Sequence, residues 1–124
     1  MTDDELRAIE QAVTGYFDSW FEGDSQRMAH VLHPHLAKRR AADSGSELLE
    51  VPADDLIQDV ASGPQTGYDR AYEIRVVDAG QDMASVVVHS DPFTEYLHLA
   101  RFDDGWKIVN SFYRRNPRPQ ERDD

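Results

Sequence analysis

An α+β fold, with three N-terminal helices packed on one face of an antiparallel sheet, is predicted by three observations. Residues Leu6, Ile9, Val13, Tyr16, Phe17, Trp20 and Phe21 recur with a period of 3.6, the mark of an amphipathic helix. From Tyr68 the period changes to two, with Tyr72, Ile74 and Val76 alternating with Glu73 and Arg75. Finally, Asp103-Asp104-Gly105 separates two β-rich runs, and Asp-Gly at such a place is a strong hairpin signal. Helices first and strands after is the order of an α+β domain with its helices on one side of the sheet.

The elements follow in order. Thr2 with Glu5 three residues on forms a capping box for the first helix, and Asp3 and Asp4 suit its positive end. Gly23 is its expected stop. Asp24 caps a shorter helix with Met28, Val31 and Leu32 on its apolar face, which Pro34 ends. Residues 36–46 read as a strand or loop holding the basic run Lys38-Arg39-Arg40. A third helix follows Pro52, with Leu56, Ile57 and Val60 on one face and Gly63-Pro64 as its stop. Four strands complete the chain as a meander: from Tyr72, from Ala84 to Ser90, and the two arms of the hairpin. Residues 1–116 are expected to be one domain, and the charged, proline-punctuated 117–124 a disordered tail.

Composition narrows the function. The chain has 124 residues, enough for one domain with a real core. It has no cysteine, hence no disulfide, thiol nucleophile or thiolate metal site, which fits a cytoplasmic protein. The opening M-T-D-D-E is acidic and is not expected to act as a secretory signal. No apolar run approaches the ~20 residues that cross a bilayer. A net charge of −11 repels phosphate backbones and anionic membranes, so neither nucleic acid nor membrane is an expected partner. His30, His33 and His35 suggest a metal by spacing, but Pro34 interrupts them and no carboxylate is suitably placed. No metal or cofactor is expected.

The order helix, Gly23-Asp24, short helix, His33-Pro34, helix, meander, ending in Asp104-Gly105-Trp106-Lys107-Ile108-Val109, resembles the nuclear transport factor 2-like superfamily, including its SnoaL-like and ketosteroid isomerase-like branches. With Phe93-Thr94-Glu95-Tyr96-Leu97-His98-Leu99, it is most similar to the putative lumazine-binding group. The resemblance implies a cone-shaped α+β barrel, a pocket between the concave sheet face and the helices, and often a homodimer.

Matching Arg101-Phe102-Asp103 to the ketosteroid isomerase-like pattern implies that Thr94, Tyr96, His98, Ala100 and Phe102 face the cone. Glu95 then falls on the other parity. The same match puts His98 where those enzymes keep an acidic donor to an oxyanion, and Tyr16 where they keep a phenolic one. Val109, Ser111 and Tyr113 are expected to point inward. Arg40 falls where the isomerases carry their carboxylate base, so a steroid isomerase is not expected. Tyr16, Trp20, His35, Arg40, Tyr96, His98, Ser111 and Tyr113 are the candidate ligand contacts. Packing is the alternative for Tyr16, on an apolar stripe, and a hydrogen-bonded sheet histidine is the alternative for His98.

Three functions stay open. The first is a protein that binds a small apolar or aromatic molecule in an aromatic cone. The second is a small cyclase, isomerase or dehydratase using His98 and Tyr16 in acid–base catalysis. The third is an interaction module, a homodimer through an outer sheet face bearing Phe93, Leu97, Leu99, Ile108 and Phe112.

Overall fold

A computed structural model describes residues 2–117. Helix α1 (Asp3–Glu22) begins at the capping box: the Thr2 hydroxyl accepts from the Glu5 amide, and the Glu5 carboxylate accepts from the Thr2 amide. It ends at Gly23, whose φ of 74° is left-handed. Helix α2 (Ser25–Val31) is capped by Asp24 and stops before Pro34, at Leu32, which is already extended. Helix α3 (Ala53–Ala61) follows Pro52.

The sheet has six strands: β1 (Leu32–Ala41), β2 (Leu48–Pro52), β3 (Tyr72–Ala79), β4 (Met83–Ser90), β5 (Phe93–Phe102) and β6 (Gly105–Arg115). Their order is β2-β1-β6-β5-β4-β3. The expected meander β3 to β6 is present, and two strands are added to it. β1 lies parallel to β6, so the sheet is mixed rather than wholly antiparallel, and its two edges do not meet. Three helices on such a sheet are consistent with the cone-shaped α+β fold.

Pro34 lies inside β1, in the stretch where the ladder to β6 is interrupted: Leu32 pairs with Ile108, and pairing resumes only at Ala37 with Asn110. A residue with no amide hydrogen to donate is tolerated there.

The core lies between the helices and one face of the sheet. Ile9, Val13 and Phe17 of α1 pack there with Val86, Val88, Leu97 and Leu99. This packing reverses the facing expected for β5. Phe93, Glu95, Leu97 and Leu99 are buried under the helices, whereas Tyr96 and His98 are exposed on the outer face. Side chains alternate along a strand, so the facing of the whole strand is decided at once. Burying Phe93, Leu97 and Leu99 removes more apolar area from water than burying Tyr96 and His98 would. The Arg101-Phe102 motif carried no facing information, because both residues lie at the exposed end of β5, beyond the core.

The same reversal corrects the expected outer apolar surface. Phe93, Leu97, Leu99 and Ile108 are core residues, and of that set only Phe112 is exposed. Its neighbour across the strands is Tyr96. Val109 is the extra residue of a bulge in β6, since His98 pairs with Asn110 but Leu99 with Ile108. The expectation of a disordered tail falls, apart from Pro117, outside the described residues.

Candidate functional site

Four polar side chains meet in the core. Tyr16 comes from α1, Lys38 from β1, Glu95 from β5 and Ser111 from β6. β1, β6 and β5 are neighbours, and Lys38 is register partner to Ser111, so three of the four stand side by side on the inner face. Tyr16 reaches down onto them from the helix above. All four are buried, with Lys38 4% and Glu95 1% exposed.

The hydrogen bonds define each role. Lys38 Nζ donates to the Tyr16 hydroxyl at 2.7 Å. That hydroxyl donates to Glu95 Oε2 at 3.0 Å, and Ser111 Oγ donates to the same oxygen at 2.9 Å. Glu95 Oε1 accepts no hydrogen bond and faces Lys38 Nζ at 3.5 Å. Three rings surround the ammonium, with centroids at 4.6 Å for Tyr113, 5.0 Å for Phe93 and 5.2 Å for Tyr16. An ammonium out of water is thus held by one carboxylate, one phenol and three π-faces.

Burial pushes the Tyr16 phenol well above its ordinary pKa of 10.0, and the negative charge and hydrogen bond of Glu95 add to the effect. The neutral phenol is therefore the stable form, a donor to Glu95 and an acceptor from Lys38. A group whose folded pKa is raised contributes stability that is full below its unfolded pKa and is lost as pH rises towards the folded one. We expect the unfolding free energy to fall above about pH 10, and to fall less steeply in Tyr16→Phe. Tyr72 is raised in the same direction, by burial and its hydrogen bond to Asp18, so Tyr72→Phe is the control. Equal alkaline slopes in wild type and Tyr16→Phe, followed by urea unfolding, would remove Tyr16 as the source.

Beside this buried cluster lies an open cleft of about 700 Å³, lined among others by Arg40, Tyr68, Pro92, Tyr113, Arg114 and Asn116. Tyr113 belongs to both: one wall of the cleft is the ring that touches Lys38. Asn116 fixes the same end of the sheet, donating to the Ser90 carbonyl at 2.9 Å while its amide bonds the Pro92 carbonyl. Trp20 stands against Phe93 and Tyr68, with ring centroids at 5.0 and 5.8 Å, and so joins the cleft wall to the core.

The structure brings Tyr16 and Ser111 into the cluster, Tyr113 between cluster and cleft, Arg40 into the cleft wall and Trp20 behind it. It does not bring Tyr96 or His98 there. Both stand on the opposite face, where His98 pairs with the Asn110 side chain at 3.2 Å. His35 is exposed, near the other end of β1 and next to His33. Among the described residues no three His, Cys, Asp or Glu groups are placed to hold a metal ion.

Sequence reasoning missed Lys38 and Glu95. Lys38 was read with its neighbours as part of a basic run, and Glu95 was assigned to the wrong face. A signal existed. Glu95 is the one acid on the Phe93-Leu97-Leu99 parity and stands between apolar residues, and Lys38 shares the parity of buried Leu36. An acid and a base that each follow apolar residues on an inward strand face are a candidate buried pair.

The architecture is that of the nuclear transport factor 2-like proteins. A protein of unknown function from Silicibacter pomeroyi, described as nuclear transport factor 2-like, superposes with a TM-score of 0.80 at 23% identity, over 94% of this chain and 100% of its own. One from Shewanella baltica gives 0.71 at 16% identity, over 94% and 98%. A structure from Streptomyces avermitilis, described as a putative dehydratase of the same class, gives 0.60 at 15% identity, over 91% and 97%. These likenesses establish the fold. Within that class the chain belongs to the family described as putative lumazine-binding, which matches residues 4–114. No curated protein matches the chain. Among the described residues no helix is long and apolar enough to cross a membrane.

Proposed function

We propose that this is a small-molecule-binding protein whose ligand occupies the cleft beside Tyr113. One observation carries the reading: a single aromatic ring separates an open cleft of about 700 Å³ from a buried ammonium, carboxylate and phenol. That volume falls in the range of small-molecule sites, and aromatic surface with a few polar groups, here Tyr68 and Tyr113 with Arg40, Arg114 and Asn116, is what lines such sites. The family's description supports a binding role in general, while no residue of the cleft reads a pteridine in particular. The site differs in character from the apolar cone expected from the sequence. The space beneath the helices is filled by side chains, and the cleft is edged by arginines.

Acid–base catalysis is the second reading, and one observation favours it: Glu95 supplies a buried carboxylate at 3.0 Å from a buried phenol. In that reading Glu95 and Tyr16 take the roles that the sequence suggested for His98 and Tyr16. Binding ranks first because Glu95, Tyr16 and Lys38 are closed off from solvent and committed to one another.

The test is a titration of labelled protein with small aromatic fragments, neutral and charged, followed by two-dimensional amide NMR. The expected result is a set of shifts centred on Tyr68, Tyr113 and Asn116, with the Trp20 indole responding. Shifts scattered over the outer sheet face, or absent from the cleft for every fragment, would refute the reading.

A further inference from the structure

Lys38-Arg39-Arg40 and Arg114-Arg115 are the two basic runs of a chain with a net charge of −11. They lie more than seventy residues apart in sequence, and the parallel pairing of β1 with β6 brings them together. The register runs Lys38 with Ser111 and Arg39 with Phe112. Beyond these pairs, Arg40, Arg114 and Arg115 line the same cleft. Among the described residues the only carboxylate in the cleft wall is Asp43.

Of the other described arginines, all but Arg75 of β3 are engaged. Arg7, Arg27, Arg39, Arg70 and Arg101 each pair with a carboxylate. Among the described residues Arg40, Arg114 and Arg115 have no such partner. The side chain of Arg40 reaches only the Ala41 carbonyl, at 3.5 Å. Three guanidinium groups around one opening, without an ion-pair partner among the described residues, repel one another, and an anion placed among them relieves the repulsion. A guanidinium fork also matches the paired oxygens of a carboxylate or phosphate. The tyrosine rings of the same cleft, Tyr68 and Tyr113, supply flat apolar surface next to that charge.

We propose that the ligand is a small aromatic anion, its carboxylate or phosphate held by Arg40 and Arg114 and its ring laid against Tyr68 and Tyr113. This rests on the binding reading above and adds the charge of the ligand. Arg40 is then a specificity-determining residue.

The experiment is isothermal titration with three probes that share a ring: 4-hydroxybenzoate, phenyl phosphate and neutral benzyl alcohol. Both anions should bind, benzyl alcohol at least about tenfold more weakly, and Arg40→Gln and Arg114→Gln should each weaken the anions about tenfold. Added salt should weaken the anions and leave the alcohol unchanged. Tighter binding of phenyl phosphate would assign a phosphate ligand, and tighter binding of hydroxybenzoate a carboxylate. Both substitutions lie at exposed or half-buried positions, and unchanged melting temperatures would confirm that the variants fold. Equal affinity for alcohol and anions, or anion binding untouched by both substitutions, would overturn the proposal while leaving a small-molecule cleft. No binding of any probe would overturn it as well, and fragment shifts absent from the cleft would then remove the binding reading with it.

Discussion

Lys38→Met alone should cost about 3–5 kcal/mol of folding free energy, because it strands the Glu95 carboxylate in the core without a countercharge. The carboxylate would keep its bonds from Tyr16 and Ser111 to Oε2, but Oε1 would face nothing polar. Glu95→Leu should cost a similar amount for the converse reason, leaving an ammonium that only rings and a phenol surround. The double variant Lys38→Met/Glu95→Leu should recover most of the loss, since an apolar pair of similar volume pays no desolvation. Urea midpoints at constant m-value measure all three. Additive single effects, or a Lys38→Met protein within about 1 kcal/mol of wild type, would show that the two charges are not coupled. An ion pair that an apolar pair could replace at little cost is a poor device for stability.

Gly23→Ala should cost about 2 kcal/mol or more, from two causes that separate cleanly. The first is conformational. Gly23 closes α1 at a φ of 74°, where a side chain costs roughly 1–2 kcal/mol. The second is steric. A Cβ on Gly23 would lie 2.8 Å from both the Gly63 carbonyl carbon and the Pro64 nitrogen, which are backbone atoms and cannot swing aside. Gly45 provides the control, with a φ of 77° and nothing within 4 Å of an added Cβ. Gly45→Ala should therefore show the conformational cost alone. Equal losses in the two variants, read from thermal or urea unfolding, would mean that the close approach of the α3 exit to the end of α1 contributes nothing. The comparison also tests whether α1, which carries Tyr16 to the sheet, is anchored at that end.

What was legible in the sequence depended on local chemistry. The limits of α1 follow from Thr2, Glu5 and Gly23, because caps satisfy amides and carbonyls within a turn of where they sit. The hairpin of β5 and β6 follows from Asp104-Gly105, with Gly105 at a positive φ of 112°. β2 was not legible. It is a short edge strand, mostly exposed on both faces, and Leu48-Leu49-Glu50 shows no alternation to detect. The site was half legible. Tyr16, Ser111, Tyr113 and Arg40 could be nominated, whereas Tyr96 and His98 were nominated from the wrong face of β5.

By itself the sequence determined the helices and the antiparallel meander, since these rest on periodicity, caps and turns within a few residues of one another, and the order of its motifs carried the family resemblance. Only the tertiary structure decided which face of β5 turns inward, because that choice sums apolar burial over the whole sheet and turns every side chain of the strand together. Only it decided that β1 would lie parallel to β6. That one long-range pairing places Lys38 beside Ser111 and both basic runs at the mouth of one cleft. Parallel strands are joined through distant chain and leave no local mark, so the charges that define the site become neighbours only when the sheet is assembled.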